Sequence, residues 1–328
     1  MDALSEILSA LKLNGALFFN AEFSAPWGVV SPGSQALAPV LAPRAQHLVI
    51  YHYVAEGHAL AVTSDGSSLS LEPGDVIAFP HGDWHLLTSG GRSEDPEQTL
   101  EAIKKIKTHD LSLLRVGGGG EPTRLICGFM ACDPHLGRPI LDGLPAMFKV
   151  NVRSDNSGRW LENSILHLVG ETTSDSVGNG ALLAKLSETL FIDTLRRYVG
   201  SLPEQQTGWL AGARDPIVGR SLALLHGRVE HPWTIADLAG EIGVSRSTLV
   251  ERFTSYLGEP PMTYLTRWRL QLAARSLCGT AKGVAHIASE VGYESEAAFN
   301  RAFKREFGLP PAQYRREAKA AKSTAAGT

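Results

Sequence analysis

Cysteine is scarce in this chain, with three residues among 328. That is too few for a disulfide framework, so a reducing compartment is expected. Long apolar runs are missing too: no stretch approaches the ~20 residues that a membrane-spanning helix needs, and no membrane partner is expected. The N-terminus carries Asp2, Glu6 and Lys12 and lacks the basic-then-apolar order of a signal peptide. These absences point to the cytoplasm. The composition is otherwise ordinary for a globular protein, 43% hydrophobic and 20% charged, which excludes wholesale disorder. The length suits about two domains of roughly 100–200 residues each.

Charge is unevenly spread. Residues 1–211 hold 15 Lys+Arg against 23 Asp+Glu, a net of −8, while residues 212–328 hold 16 against 11, a net of +5. An acidic body with a basic final third suggests a polyanionic partner for that third.

Residues up to about 150 read mostly as strand. His47–Val54, Ala59–Val62, Asp75–Phe79 and Arg124–Phe129 are short apolar runs punctuated by Gly and Pro. Asp65-Gly66 marks a tight turn. The polar stretch Ser89 to Asp110 reads as a flexible insertion, and Gly117–Gly120, with no Lys-Ser/Thr behind it, as a hairpin tip rather than a phosphate loop. From Arg159 the apolar period becomes helical, giving a helical pair over about 159–200: one helix within Trp160–Val169 and one within Ala181–Val199. The second has a broad apolar stripe through Leu182, Leu186 and Leu190. Exposed apolar faces of that kind mark association surfaces, so a homodimer is expected. Residues 201–214, with Pro203 and Gly208, read as a linker.

From Asp215 the chain is helix-compatible and one plan occurs twice. Thr234 caps Ile235–Ile242, Gly243-Val244 turns, Ser245 caps Arg246–Tyr256, and Gly258 ends that helix. Val284–Val291 is followed by Gly292-Tyr293, a Ser295 cap, Glu296–Phe307 and Gly308. Each unit is a short helix, a glycine turn and a serine-capped longer helix, which is a helix-turn-helix. The amphipathic helix Met262–Cys278 joins them, with Cys278 as a packed residue. About 17 residues span ~25 Å, which suits two reading helices about one DNA turn apart. Leu249, Phe253, Phe299, Phe303 and Phe307 are the expected core. Arg246, Ser247, Val250 and Glu251 face outward on the first reading helix, and Glu296, Ala297, Asn300, Arg301 and Lys304 on the second. Arg pairs with guanine and Asn with adenine in the major groove, while the lysine and arginines also suit phosphate.

The last ~115 residues resemble the AraC/XylS transcriptional regulators. The resemblance is carried by Trp233–Ala239, Ser245–Leu249, Phe253, Gly258–Met262, Tyr264–Arg269, Ala288, Val291–Tyr293, Ala298-Phe299, Phe303–Gly308, Pro310-Pro311 and Tyr314–Arg316. It implies a two-motif DNA-binding unit over 215–320 acting on promoter operators, with RNA polymerase as a further partner. Glu251 stands where such proteins often carry a DNA contact.

In the first part, Gly74, Pro80, Gly82 and His85 fit G-x5-P-x-G-x2-H, which looks like the second motif of the cupin β-barrel. The His-x-His of the usual first motif is absent from Gln46–Gly57. The catalytic metal set is therefore incomplete, and no enzyme activity is expected. Strand parity turns His52 inward, and His85 should join it. Cys127 and Cys132, with His135 just beyond, offer soft ligands for a divalent metal such as zinc. The alternative is a core cysteine beside an uncharged barrel histidine. The expectation is an α+β multidomain chain: a cupin-like sensor and dimerisation domain over 1–200, a linker, and an all-α double helix-turn-helix. It would be a DNA-binding regulator governed by a ligand, metal or redox signal. The rival is a cupin metalloenzyme fused to a DNA-binding domain, for which only His52, His85 and Glu56 are available.

Overall fold

The computed structural model describes residues 2–11, 13–43, 45, 47–90, 94–108, 111–170 and 178–325, and divides the chain into two compact units, Lys12–Leu202 and Pro203–Thr328 together with Met1–Leu11. Among the described residues no helix is long and apolar enough to cross a membrane.

Helix α1 (Ala3–Leu11) buries Ala3, Ile7 and Leu11, an i, i+4, i+8 stripe, within the C-terminal unit. The sequence reading places these residues in the sensor; their only apolar face is instead spent on the helical unit. The Lys12–Leu202 unit begins with β1 (Asn14–Ser24), β2 (Gly28–Ser31), α2 (Ser34–Leu41), β3 (His47–Glu56), β4 (Ala59–Thr63), β5 (Ser68–Leu71), β6 (Asp75–Phe79) and β7 (His85–Thr88). It continues through α3 (Pro96–Lys107), β8 (Leu114–Gly117), β9 (Pro122–Cys132), α4 (Pro134–Leu141), β10 (Phe148–Asn151), α5 (Asn156–Gly170) and α6 (Asn179–Ser201). A six-stranded sheet, β10-β6-β3-β9-β1-β8, faces a four-stranded one, β2-β7-β4-β5. Between them lies a core that includes Phe19, Phe23, Leu48, Ile50, Phe79, Leu87, Leu125 and Phe129. This is the sheet-rich cupin region that the histidine motif announces.

Two local readings change. Ser89 to Asp110 contains α3 rather than an insertion without structure; residues 91–93 and 109–110 lie outside the described residues. Asp95 caps α3 by accepting from Glu97 N (3.0 Å) and Gln98 N (3.1 Å), and three lysines sit in its last turn. The helix is polar because it serves an edge strand. Gln98 Oε1 and Thr99 Oγ1 accept the amides of Gly28 (3.2 Å) and Val30 (3.1 Å) on β2. Gly117–Gly120 is no hairpin tip, since β8 and β9 flank β1 on opposite sides. The glycines cross the end of β1, donating to Ser24 O and Ala25 O at 2.9 Å each. A Cβ at Gly117 would lie 2.1 Å from Ser24 O, so the crossing requires glycine.

The C-terminal unit contains α7 (Trp209–Arg214), α8 (Pro216–Gly227), α9 (Ile235–Ile242), α10 (Arg246–Leu257), α11 (Pro261–Gly279), α12 (Val284–Glu290), α13 (Glu296–Phe307) and α14 (Pro311–Ala325). Part of the expected linker is thus α7, held by buried Trp209, whose indole N–H donates to Tyr264 Oη at 2.9 Å. Local chemistry sets the helix ends. Thr234 and Asp237 form a capping box, and Ser245 and Ser295 each accept the amide three residues on. Gly243, Gly258 and Gly308 close α9, α10 and α13 in the left-handed region. Leu249, Phe253, Phe299 and Phe303 are buried as expected, while Phe307 is only partly covered, its ring tilted against those of Phe303 and Tyr314.

Candidate sensor interior and nucleic-acid interface

Strand β3 places His52 opposite Cys127 of β9, in register. His85 enters from β7 in the facing sheet, wholly buried and stacked on Phe79 at 3.5 Å between ring centres. The polar atoms form one line. Cys127 Sγ is 2.8 Å from His52 Nδ1, His52 Nε2 is 2.7 Å from His85 Nε2, and His85 Nδ1 is 2.9 Å from the Asp83 carbonyl.

A carbonyl only accepts, so His85 carries its proton on Nδ1 and, when neutral, accepts at Nε2. His52 must then donate from Nε2 and accept at Nδ1, which leaves the thiol of Cys127 as donor. One carbonyl therefore orients the whole chain. Burial opposes charge at each member. It holds His85 down to about 4. It puts His52 well below the usual imidazole range, with the neighbouring His85 adding to the effect. It pushes the Cys127 thiol up.

This geometry does not fit the expected metal. The two nitrogens of His52 point to different partners, so His52, His85 and Cys127 do not converge on one ion as tetrahedral ligands must. Among the described residues no group of three or more His, Cys, Asp or Glu side chains is arranged to hold one. Cys132, five residues from Cys127 and so on the opposite strand face, pairs with His47 instead. Its thiol is pushed up to about 12 by burial, with Asp133 adding to the effect. The side chain of His135 lies outside the described residues, and Glu56 is exposed at the strand end. The arrangement is the alternative already stated, a core thiol beside uncharged imidazoles. His52 and Cys127 also border a cavity of about 40 Å³ otherwise walled chiefly by apolar groups, Phe18, Phe19, Phe23, Ile103 and Leu125 among them. That is room for a few waters.

The residues beside His52 do what sequence parity did not reveal. Tyr51 and Tyr53 face the other side of the sheet. The Tyr51 hydroxyl meets Ser187 Oγ on α6, its ring crossing Gly128, where a Cβ would lie 2.2 Å from Cζ. The Tyr53 hydroxyl donates to Glu162 of α5, which also takes Arg153 Nε at 2.9 Å. Burial alone would raise the Glu162 carboxyl, but Arg153 and Tyr53 together bring it below its ordinary value. Arg153 Nη2 returns to Ala55 O of β3 at 2.8 Å. The available signal was Tyr-His-Tyr in an otherwise apolar strand, a run of hydroxyl and imidazole groups that all need buried partners.

In the C-terminal unit, Arg246, Ser247 and Glu251 of α10 and Glu296, Ala297, Arg301 and Lys304 of α13 are exposed; Val250 and Asn300 are partly so. Arg252, on the same helix as Arg246, is instead engaged by Asp215 Oδ2 at 2.9 and 2.7 Å, and the Asp215 carboxylate also caps α8.

Comparison with known proteins extends this picture. Residues 2–200 match a cupin family model and residues 238–317 a helix-turn-helix domain model. A putative AraC-like transcription regulator of Streptomyces antibioticus is 32% identical over 96% of this chain and 99% of its own length. The HTH-type transcriptional regulator AlkR of Acinetobacter baylyi is 28% identical over 97% of this chain and all of its own. The RCS-specific HTH-type transcriptional activator RclR of Escherichia coli K12 is 26% identical over 96% of this chain and 97% of its own. Among solved structures, the DNA-binding domain of AdpA in complex with a target DNA is 28% identical over 33% of this chain and 97% of that chain, with a TM-score of 0.32.

Proposed function

Because the chain belongs to the AraC-type transcriptional regulators that carry a cupin domain, we propose that α10 and α13 read a two-part operator in duplex DNA under control of the barrel interior. The observation that carries this is the pairing of two serine-capped helices with exposed polar faces in the basic final third of the chain. Arg301 and Asn300 are the base readers on α13, with Lys304 and Arg246 on phosphates. The relatives are regulators, and the histidine chain offers no open metal position for turnover, which supports regulation over catalysis.

The signal enters at the cavity beside His52 and Cys127. A thiol held protonated by burial makes a poor nucleophile, which favours a small, largely apolar effector over oxidation. Such a molecule displaces aromatic side chains and offers His52 one hydrogen-bond partner in place of Cys127. Strand β3 then moves Tyr51 and Tyr53 and, through Ser187 and Glu162, the helices α5 and α6. Those helices form the homodimer surface, though not by the stripe the sequence suggested, since Leu186 and Leu190 are buried within their own unit; Trp160 is 63% exposed, Leu182 51% and Ile192 38%. Work on promoter DNA puts the protein in the cytoplasm, where RNA polymerase is its further partner.

The test is a gel shift of the full chain on its own promoter region across salt concentrations. The expected result is binding that weakens steeply with salt, because phosphate contacts release counterions. Absence of salt-sensitive binding to any segment of that region refutes the choice of target.

A further inference from the structure

The two helix-turn-helix motifs have turns of similar backbone but different surroundings. Gly243, in the first, has φ +77 and nothing within 4 Å of where a Cβ would stand. Gly292, in the second, has φ +80, yet a Cβ there would lie 2.6 Å from Arg269 Nη2 and 2.8 Å from Glu230 O. The second turn is therefore covered, and Arg269 is part of what covers it.

Arg269 stands midway along α11, the helix shared by both motifs. The first motif's bundle is fixed to the N-terminal half of α11 through Tyr264, which meets Trp209 and His226 at 2.9 and 2.8 Å. The second packs on the C-terminal half, where Leu270, Ala273, Ala274 and Leu277 meet Ile287, Ala288, Phe299 and Phe303. Between these apolar anchors the Arg269 guanidinium reaches both ways. Nε donates to Val229 O at 2.8 Å and Nη2 to His231 O at 2.7 Å, both in the segment that leads into α9; Nη1 donates to Gly292 O at 3.3 Å. That segment is itself ordered. Trp233 donates to Arg228 O at 3.0 Å, and the Arg228 guanidinium lies 4.7 Å from the Trp233 ring centre. A planar fork of five donors suits three carbonyls from two directions, whereas the three donors of an ammonium all leave one point.

We propose that Arg269 is a positioning residue that fixes the distance between the two half-sites of the operator. This rests on the two-part reading above. With Arg269 in place, α11, the segment leading into α9 and the second turn form one body, and α10 and α13 present themselves at a single separation. Without it, the joint rests on the helix, which bends, and on the close approach of Glu230 O to Gly292. Two tethered reading heads bind together only when their geometry matches the site, so a looser joint accepts more separations and binds each less tightly.

The test is selection of sites from a random duplex library by the full-length chain, followed by sequencing. The wild type is expected to return paired half-sites at one separation. Arg269→Ala should return the same half-sites at two or more separations and bind the wild-type site about tenfold more weakly, with half-site binding unchanged within about twofold. Arg269→Lys should fall between, since it keeps the charge and donors on one atom but lacks the fork that spans both segments. A folded Arg269→Ala protein that still selects a single separation overturns the proposal. So does failure of both variants to fold, which makes Arg269 a determinant of folding rather than of spacing. A wild type that selects only unpaired sites refutes the two-part reading itself, and the spacing proposal falls with it.

Discussion

Acid should loosen the barrel through the histidine chain. Each nitrogen in the 2.7 Å contact between His52 and His85 already has its role, one donor and one acceptor. Protonating His85 places a second hydrogen in that contact, and protonating His52 places one on Nδ1, against the thiol hydrogen of Cys127, so the chain must rearrange before it can take up a proton. His85 is held down to about 4 by burial, against 6.5 for the free group. A histidine with a depressed native pKa contributes stability that is fully present above the unfolded value and lost as the pH falls toward the native one. The window therefore runs from about 6.5 down to about 4. At ~1.4 kcal/mol per pH unit the whole contribution is ~3 kcal/mol, of which ~2 kcal/mol should be gone at pH 5.

The assay is hydrogen exchange of the β3 amides in the full chain at pH 7.5 and pH 5, corrected for intrinsic rates. Exchange reports the free energy of opening that unit and does not require the two compact units to unfold together. The control replaces both imidazoles with apolar groups, His52→Leu with His85→Leu, because removing both partners leaves no orphan between them. The wild type should lose ~2 kcal/mol of protection in β3 on acidification and the double variant much less. Equal losses in the two proteins would refute the reasoning, since the protons would then be binding elsewhere.

Two further outcomes bear on the interfaces. Arg301→Ala should weaken specific binding by ~1–3 kcal/mol and relax the preference at one base position, whereas Lys304→Ala should weaken all sequences alike and flatten the salt slope by about one; binding titrations on the selected site and on point-substituted versions separate the two. Trp160→Asp with Ile192→Asp should raise the dimer dissociation constant by at least about 30-fold, the ~2 kcal/mol of a buried aromatic anchor, as read by sedimentation; a wild-type chain that is monomeric at micromolar concentration removes that surface from consideration.

The helical third was readable almost residue by residue because its punctuation is local. A serine that caps a helix does so through the amide three residues on, and a glycine that ends one does so by its own positive φ. Nothing distant is needed to place Ser245, Gly258, Ser295 or Gly308. In the N-terminal unit the pair α5 and α6 was readable from its apolar period, but the other helices were not. Both α2 and α4 contain an internal proline, Pro39 and Pro139, which ordinarily argues against a helix. Helix α3 buries Gln98 and Thr99 because it completes the hydrogen bonding of an edge strand, so its polarity looked like that of a solvated segment. Helix α1 carries its i, i+4, i+8 stripe in the sequence, but nothing local says that the stripe is buried in the unit formed by residues 203–328.

The barrel interior shows where sequence reasoning stops. Parity along β3 suffices to turn His52 inward, because a strand sends alternate side chains to opposite faces. It cannot supply the register that sets His52 against Cys127, a partner 75 residues away. Nor can it say that Tyr51 and Tyr53 are buried as deeply as the histidine between them, since a central strand covered on both faces loses the polar alternation that would mark its outside. The metal reading failed for a related reason. A sequence offers a tally of nitrogen and sulfur donors, whereas coordination needs their lone pairs aimed at one point. What decides the chemistry here is the main-chain carbonyl of Asp83, which accepts from His85 and thereby sets the proton on every group back to Cys127. Every residue has such a carbonyl, and only the turn that ends at Gly82 brings this one to a buried imidazole.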